Sequence, residues 1–150
     1  MTPSEDTLRS LFKDVLGLSP DATAWLLDLW AVIQVFDDVA DGQSVSRKDL
    51  HDTVWRSLVG MPANSFYSEN AGNLLPIMAN AFLKWVGSDD AERLGKADEK
   101  SFVWRASYYD VVLMAVLLTQ GKDAALEKAV TVMSMYGEDF GAYRKEFAHA

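Results

Sequence analysis

Apolar residues recur along this chain at spacings of three and four, and no stretch sustains the every-second-residue alternation of a half-exposed strand. The helical period predicts an all-α protein. Ser4, Asp6 and Thr7 open a first helix to about Leu16, where Gly17 supplies the usual stop. Ser19-Pro20-Asp21 starts a second, Pro20 to about Asp41, with Leu26, Trp30 and Ile33 on one stripe and Gly42 beyond its end. Ser46 caps a third helix through Val59, closed by Gly60. Residues 60–73, GMPANSFYSENAGN, are predicted as a loop with a short helical turn, the place for any lid.

Pro76 then suits the first turn of a helix to about Gly87, which SDDAERLG prolongs before a break near Gly95. Asp98 opens the next helix. From Ala106 to Leu118 that helix is apolar on nearly every side apart from Ser107 and Asp110, the pattern of a central helix wrapped by others. The last helix runs from about Lys122 towards Phe147 on a stripe of Met133, Gly137, Phe140 and Phe147. The expected architecture is a single bundle of about six helices, one domain over residues 1–150 without repeat or linker. Trp25, Trp30, Trp55, Trp85 and Trp104 fall in phase with other apolar positions and are expected in the core.

Charge narrows the partners. The 22 Asp and Glu outnumber 14 Lys and Arg for a net charge of −8, and the basic residues are scattered. A phosphate backbone or an anionic membrane surface would be repelled, which argues against nucleic-acid and membrane binding. No Cys is present, so disulfides, thiolate nucleophiles and cysteine metal sites are excluded. His51, expected on the surface, and His149, at the end, are too few for a histidine metal cage. The N-terminal residues lack an apolar signal core, and the longest apolar run, Val111–Leu118, is too short to span a bilayer, so a cytoplasmic address is expected. Phosphate-binding glycine loops, GxSxG and HExxH are absent.

The chemistry that remains is acidic. In FDDVADG, Asp37 continues the stripe of Leu26, Trp30 and Ile33, Asp41 lies one turn further on, and Asp38 sits at the edge. Three carboxylates at a helix C-terminus face the negative end of the macrodipole, so a cation or a basic side chain should compensate them. One compensation is Mg²⁺ held by Asp37, Asp38 and Asp41 together with a ligand phosphate. The other is Arg105, whose planar fork could pair with a buried Asp37 and orient two helices. Asp110, the other odd charge on the apolar helix, is expected to be paired. The acidic groups Asp89, Asp90 and Glu92, and Asp98 with Glu99, read as solvated residues beside helix breaks.

Asp37, Asp38 and Asp41 resemble the DDxxD motif of class I isoprenoid synthases, helical enzymes whose aspartates hold Mg²⁺ against a substrate diphosphate. The resemblance implies a terpenoid-synthase-like bundle that binds a small diphosphate, with Arg105 and Tyr109 on the ligand side. A second acidic motif would be Glu138–Glu146, but Ala142 stands where the synthase pattern has a hydroxyl ligand. FDDVADGQSVSRKDL also echoes an EF-hand calcium loop, with Val39 at its third position and Lys48 at its twelfth. Taken whole, the chain resembles small helical proteins of tailed phages and prophages through FDDVADG, KSFVWRASYYDVVL and YGEDFGAYRKEF. That likeness implies no mechanism. The leading expectation is a non-catalytic protein that acts through a protein partner or self-association; the alternative is the Mg²⁺-dependent diphosphate-binding domain.

Overall fold

The structure, a computed structural model, describes residues 3–147. Their regular elements are all helices, with no strand among the described residues, so the all-α class holds. The helices are α1 (Glu5–Ser10), α2 (Pro20–Ala40), α3 (Arg47–Trp55), the single turn α4 (Met61–Ala63), α5 (Ser65–Arg93), α6 (Glu99–Trp104), α7 (Tyr108–Gln120), α8 (Lys122–Ser134) and α9 (Phe140–Phe147). Two wider π-helical turns, Leu11–Val15 and Arg56–Gly60, extend α1 and α3. The chain divides into two compact units, Glu5–Ala71 and the residues from Gly72 onward. Among the described residues no helix is long and apolar enough to cross a membrane.

The N-terminal unit is organised by α2. Ser19 accepts the Ala22 N–H at 3.2 Å and Pro20 occupies the first turn, so both halves of the predicted start are present. Trp25 and Leu26 are fully enclosed with Leu8, Phe12 and Leu16. Gly17 and Gly42 have positive φ, as expected of residues that end helices.

The expected loop over residues 60–73 is instead helical, and Pro76 lies inside α5 rather than at its start. Tertiary contact overrides the breaker residues here. The Asn64 side-chain oxygen accepts the Tyr67 N–H at 3.2 Å and caps α5 early. The Asn64 amide donates to the Asp21 carbonyl at 3.0 Å, and the Ser65 hydroxyl bonds the Asp21 carboxylate. Phe66 is buried edge-on to Trp25, and Tyr67 stacks on that same ring at 5.7 Å. These anchors outweigh the one backbone bond that Pro76 cannot make.

The C-terminal unit is built on the α7–α8 hairpin, whose only connector is Gly121 at φ +90°. Val111, Val112, Ala115 and Val116 of α7 are buried, whereas Leu117 in the same apolar stretch is exposed. Two helices expected to be continuous are broken. Residues 105–107 tighten into three-residue hydrogen-bonded turns between α6 and α7. There the buried Ser107 hydroxyl donates to the Ala81 carbonyl at 2.7 Å. The last helix breaks at residues 135–139, where Asp139 turns its carboxylate back to accept the Ala142 N–H at 2.8 Å and cap α9.

The breaks give more and shorter helices than the six expected, and they change the register. Val132 and Met135 are buried while Met133, placed on the predicted stripe, is 69% exposed. The tryptophans divide likewise. Trp25 is in the core, Trp30 and Trp85 are half-buried, and Trp55 and Trp104 are exposed. Helical phase identifies a face, but not whether anything covers it.

Candidate functional site

Asp37 and Asp38 occupy the last turn of α2 and are half-buried; Asp41 follows as the exposed C-cap residue. The carbonyls of that turn are satisfied from beyond the helix end, since Asp41 N–H donates to Asp37 at 3.0 Å and Gln43 N–H to Asp38 at 2.9 Å. The last turn of α2 contains no basic residue. Among the described residues no three His, Asp or Glu side chains are grouped so that they could hold one metal ion. The aspartates therefore do not fit as a preformed Mg²⁺ triad. The EF-hand echo fails on length, because Asp37 and Asp38 are helical and only residues 41–46 separate α2 from α3.

Arg105 and Tyr109 belong to the C-terminal unit, Asp37 to the N-terminal one. Within its own unit Arg105 has Glu92 at 3.7 Å, and its guanidinium lies 5.2 Å from the centre of the Tyr143 ring. Tyr109 donates to the Met135 carbonyl at 3.4 Å, and burial pushes its hydroxyl up to about 12. It stands edge-on to the buried Tyr108. Asp110 is paired as expected, receiving the Lys84 ammonium at 2.8 Å. His51 is exposed, and His149 falls outside the described residues.

The most developed polar cluster was not expected. Glu92, read from sequence as a solvated residue, has a side chain only 14% exposed. Its carboxylate accepts the Tyr143 hydroxyl at 3.0 Å, and that hydroxyl also meets the Ser101 hydroxyl at 2.7 Å. Burial raises the Glu92 pKa, while Arg105 and the Tyr143 hydrogen bond pull it down. Ser101 is itself fixed in a capping box with Asp98, whose carboxylate accepts the N–H groups of Lys100 and Ser101. Around this cluster Phe102 packs at 5.2–5.5 Å from Tyr136, Phe140 and Tyr143. Asp89 and Asp90 pair with Arg93. Glu92 follows Asp89 by three residues, one turn on along the same side of the helix, so helical phase does not separate the two.

A smaller counterpart in the N-terminal unit joins Asp28 to Arg56 at 3.4 Å. Burial raises the Asp28 pKa there, and Arg56 opposes the rise. Both are consistent with helices held together by partly buried ion pairs. Comparison with known protein families, curated proteins and solved structures returned no match.

Proposed function

We propose that this chain is a non-catalytic helical protein that acts through protein contacts, the first of them with a second copy of itself. The outward face of α3 and its π-helical turn carries this reading. Leu50, Val54, Trp55, Leu58 and Val59 are all exposed there, Trp55 by 64% and Leu58 by 72%. Apolar surface gathered on one face in this way marks contact sites on soluble proteins. Charge favours a like copy. Residues 47–60 hold Arg47, Lys48 and Arg56 against Asp49 and Asp52, whereas the chain as a whole carries −8. Two acidic copies can therefore approach at this face with little repulsion.

Five such side chains on each copy would bury on the order of 1,000 Å² in a symmetric pair, the lower bound for a specific interface. The expected association is weak, in the micromolar range. Sedimentation equilibrium over a wide range of protein concentration tests it. A monomer–dimer equilibrium should appear, and the double substitution Trp55→Ser, Leu58→Ser should abolish it with helicity unchanged. A monomer at every concentration would sink the reading. A phage or prophage setting belongs to this proposal through the resemblance of FDDVADG, KSFVWRASYYDVVL and YGEDFGAYRKEF, and adds no chemistry to it.

A second reading, a terpenoid-synthase-like domain that binds a diphosphate through Mg²⁺ on Asp37, Asp38 and Asp41, draws on one observation. Two adjacent half-buried carboxylates close a helix whose last turn has no basic residue. The exposed Asp41 and the absence of a metal-sized acid group among the described residues weigh against it. A thermal midpoint that rises only with Mg²⁺ and pyrophosphate together, and not in Asp37→Asn, would reverse the preference.

A further inference from the structure

A groove of about 610 Å³ lies in the C-terminal unit along α9. One wall is the α9 face of Phe140, Tyr143 and Phe147, whose rings follow one another at centroid separations of 6.5 and 4.9 Å. Asp98 and Glu99 line it from the start of α6, and Arg144 joins the lining from α9. The volume suits a small molecule or a single large side chain.

The walls select the chemistry. Aromatic faces carry negative charge density and attract cations. This ring cluster already shows that attraction twice, with Arg105 5.2 Å from the Tyr143 centroid and Arg144 5.9 Å from that of Phe140. The carboxylates of Asp98 and Glu99 act with the same sign, and an anion would have to enter against them in a chain of net charge −8. Arg144 occupies the Phe140 ring, which leaves the Phe147 side for a ligand.

We infer that this groove binds an organic cation, a quaternary ammonium or a guanidinium, with its charge near Glu99 and Asp98 and its carbon groups against Phe147. The cation has two sources, a free small molecule or an arginine side chain of a partner protein. The site is independent of the α3 face and stands or falls separately from self-association.

The test is an NMR titration of the full chain with three probes: choline, its uncharged carbon isostere 3,3-dimethylbutan-1-ol, and N-acetylarginine methylamide. Ring currents should move the choline methyl protons upfield in a saturable way, with protein shifts centred on Phe147 and Tyr143. Glu99→Gln, at an exposed position, should weaken binding about threefold, and Phe147→Leu about fivefold. Added salt should weaken it further. Saturation by choline alone assigns the site to a free cation, and saturation by the arginine derivative alone assigns it to a protein side chain. Equal binding of the uncharged isostere, or saturation by none of the three probes, overturns the proposal. If Phe147→Leu fails to fold, Glu99→Gln and the salt dependence decide.

Discussion

Both units place a carboxylate whose pKa burial raises beside an arginine that opposes the rise, yet they use the pair differently. In the N-terminal unit Asp28 and Arg56 meet at 3.4 Å with about a third of each side chain open to water. In the C-terminal unit Glu92 and Arg105 are further apart, at 3.7 Å, but Glu92 is more enclosed and also accepts the Tyr143 hydroxyl, while Arg105 lies over the Tyr143 ring. The shorter pair is the more replaceable one. Water can solvate Asp28 if Arg56 is lost, whereas Glu92 would be left with a charge that burial penalises and fewer partners to offset it. Separation alone does not rank ion pairs; shared partners and solvent access do.

The largest blow to this contrast falls on Tyr143, which both members of the C-terminal pair use. Tyr143→Ala should cost about 3–5 kcal/mol in denaturant unfolding, since it empties the ring cluster and strips the Glu92 hydrogen bond together. Arg105→Met should cost about 2 kcal/mol and Arg56→Met less than about 1 kcal/mol. Equal losses for the two arginine variants would erase the difference between the units.

The finest test is electrostatic. Because the folded-state pKa of Glu92 lies above its ordinary value, the neutral form is the one the fold favours. Wild-type protein should therefore gain stability relative to Glu92→Gln as pH falls through the raised pKa towards the ordinary value of 4.5, and lose that gain as pH rises again. Denaturant midpoints of the two proteins from neutral pH down to about pH 4 would read it, the common background of other carboxylates cancelling in the difference. A difference that stays flat, or runs the other way, would mean that burial does not govern the titration of Glu92 in the folded protein.

Much of the fold was legible because it is written locally. Ser19-Pro20 starts α2, Gly17 and Gly42 stop helices, Ser46 accepts the Asp49 N–H to cap α3, and Asp98 opens α6, all within a turn of the residues responsible. What escaped depends on contacts distant in sequence. Trp25 organises Phe66 and Tyr67 from some forty residues away, so the GMPANSFYSENAGN segment reads as loop until its partner is known. The breaks around Ser107 and Asp139 arise from side chains that bond backbone, a choice that polarity alone does not announce. Glu92 was hidden for a related reason. Its neighbours Asp89 and Asp90 pair with Arg93 in their own helix, and what sets Glu92 apart is its contact with Arg105 and Tyr143, both from beyond that helix. The aspartates of FDDVADG were correctly placed at a helix end, but a motif of acids in sequence is not a group of acids in space.

Gly121 has a kinetic consequence. It is at once the residue after α7 and the residue before α8, so the two helices that form the densest contact in the C-terminal unit are joined by almost no intervening chain. The entropy lost in bringing them together is close to the minimum a helical hairpin can have. The α7–α8 pair should thus assemble early on the folding path, on the microsecond scale of local helix pairing. The Tyr143 cluster, which must wait for α9 to return to α5 and α6, would then be the later event, its rings closing on a scaffold already in place.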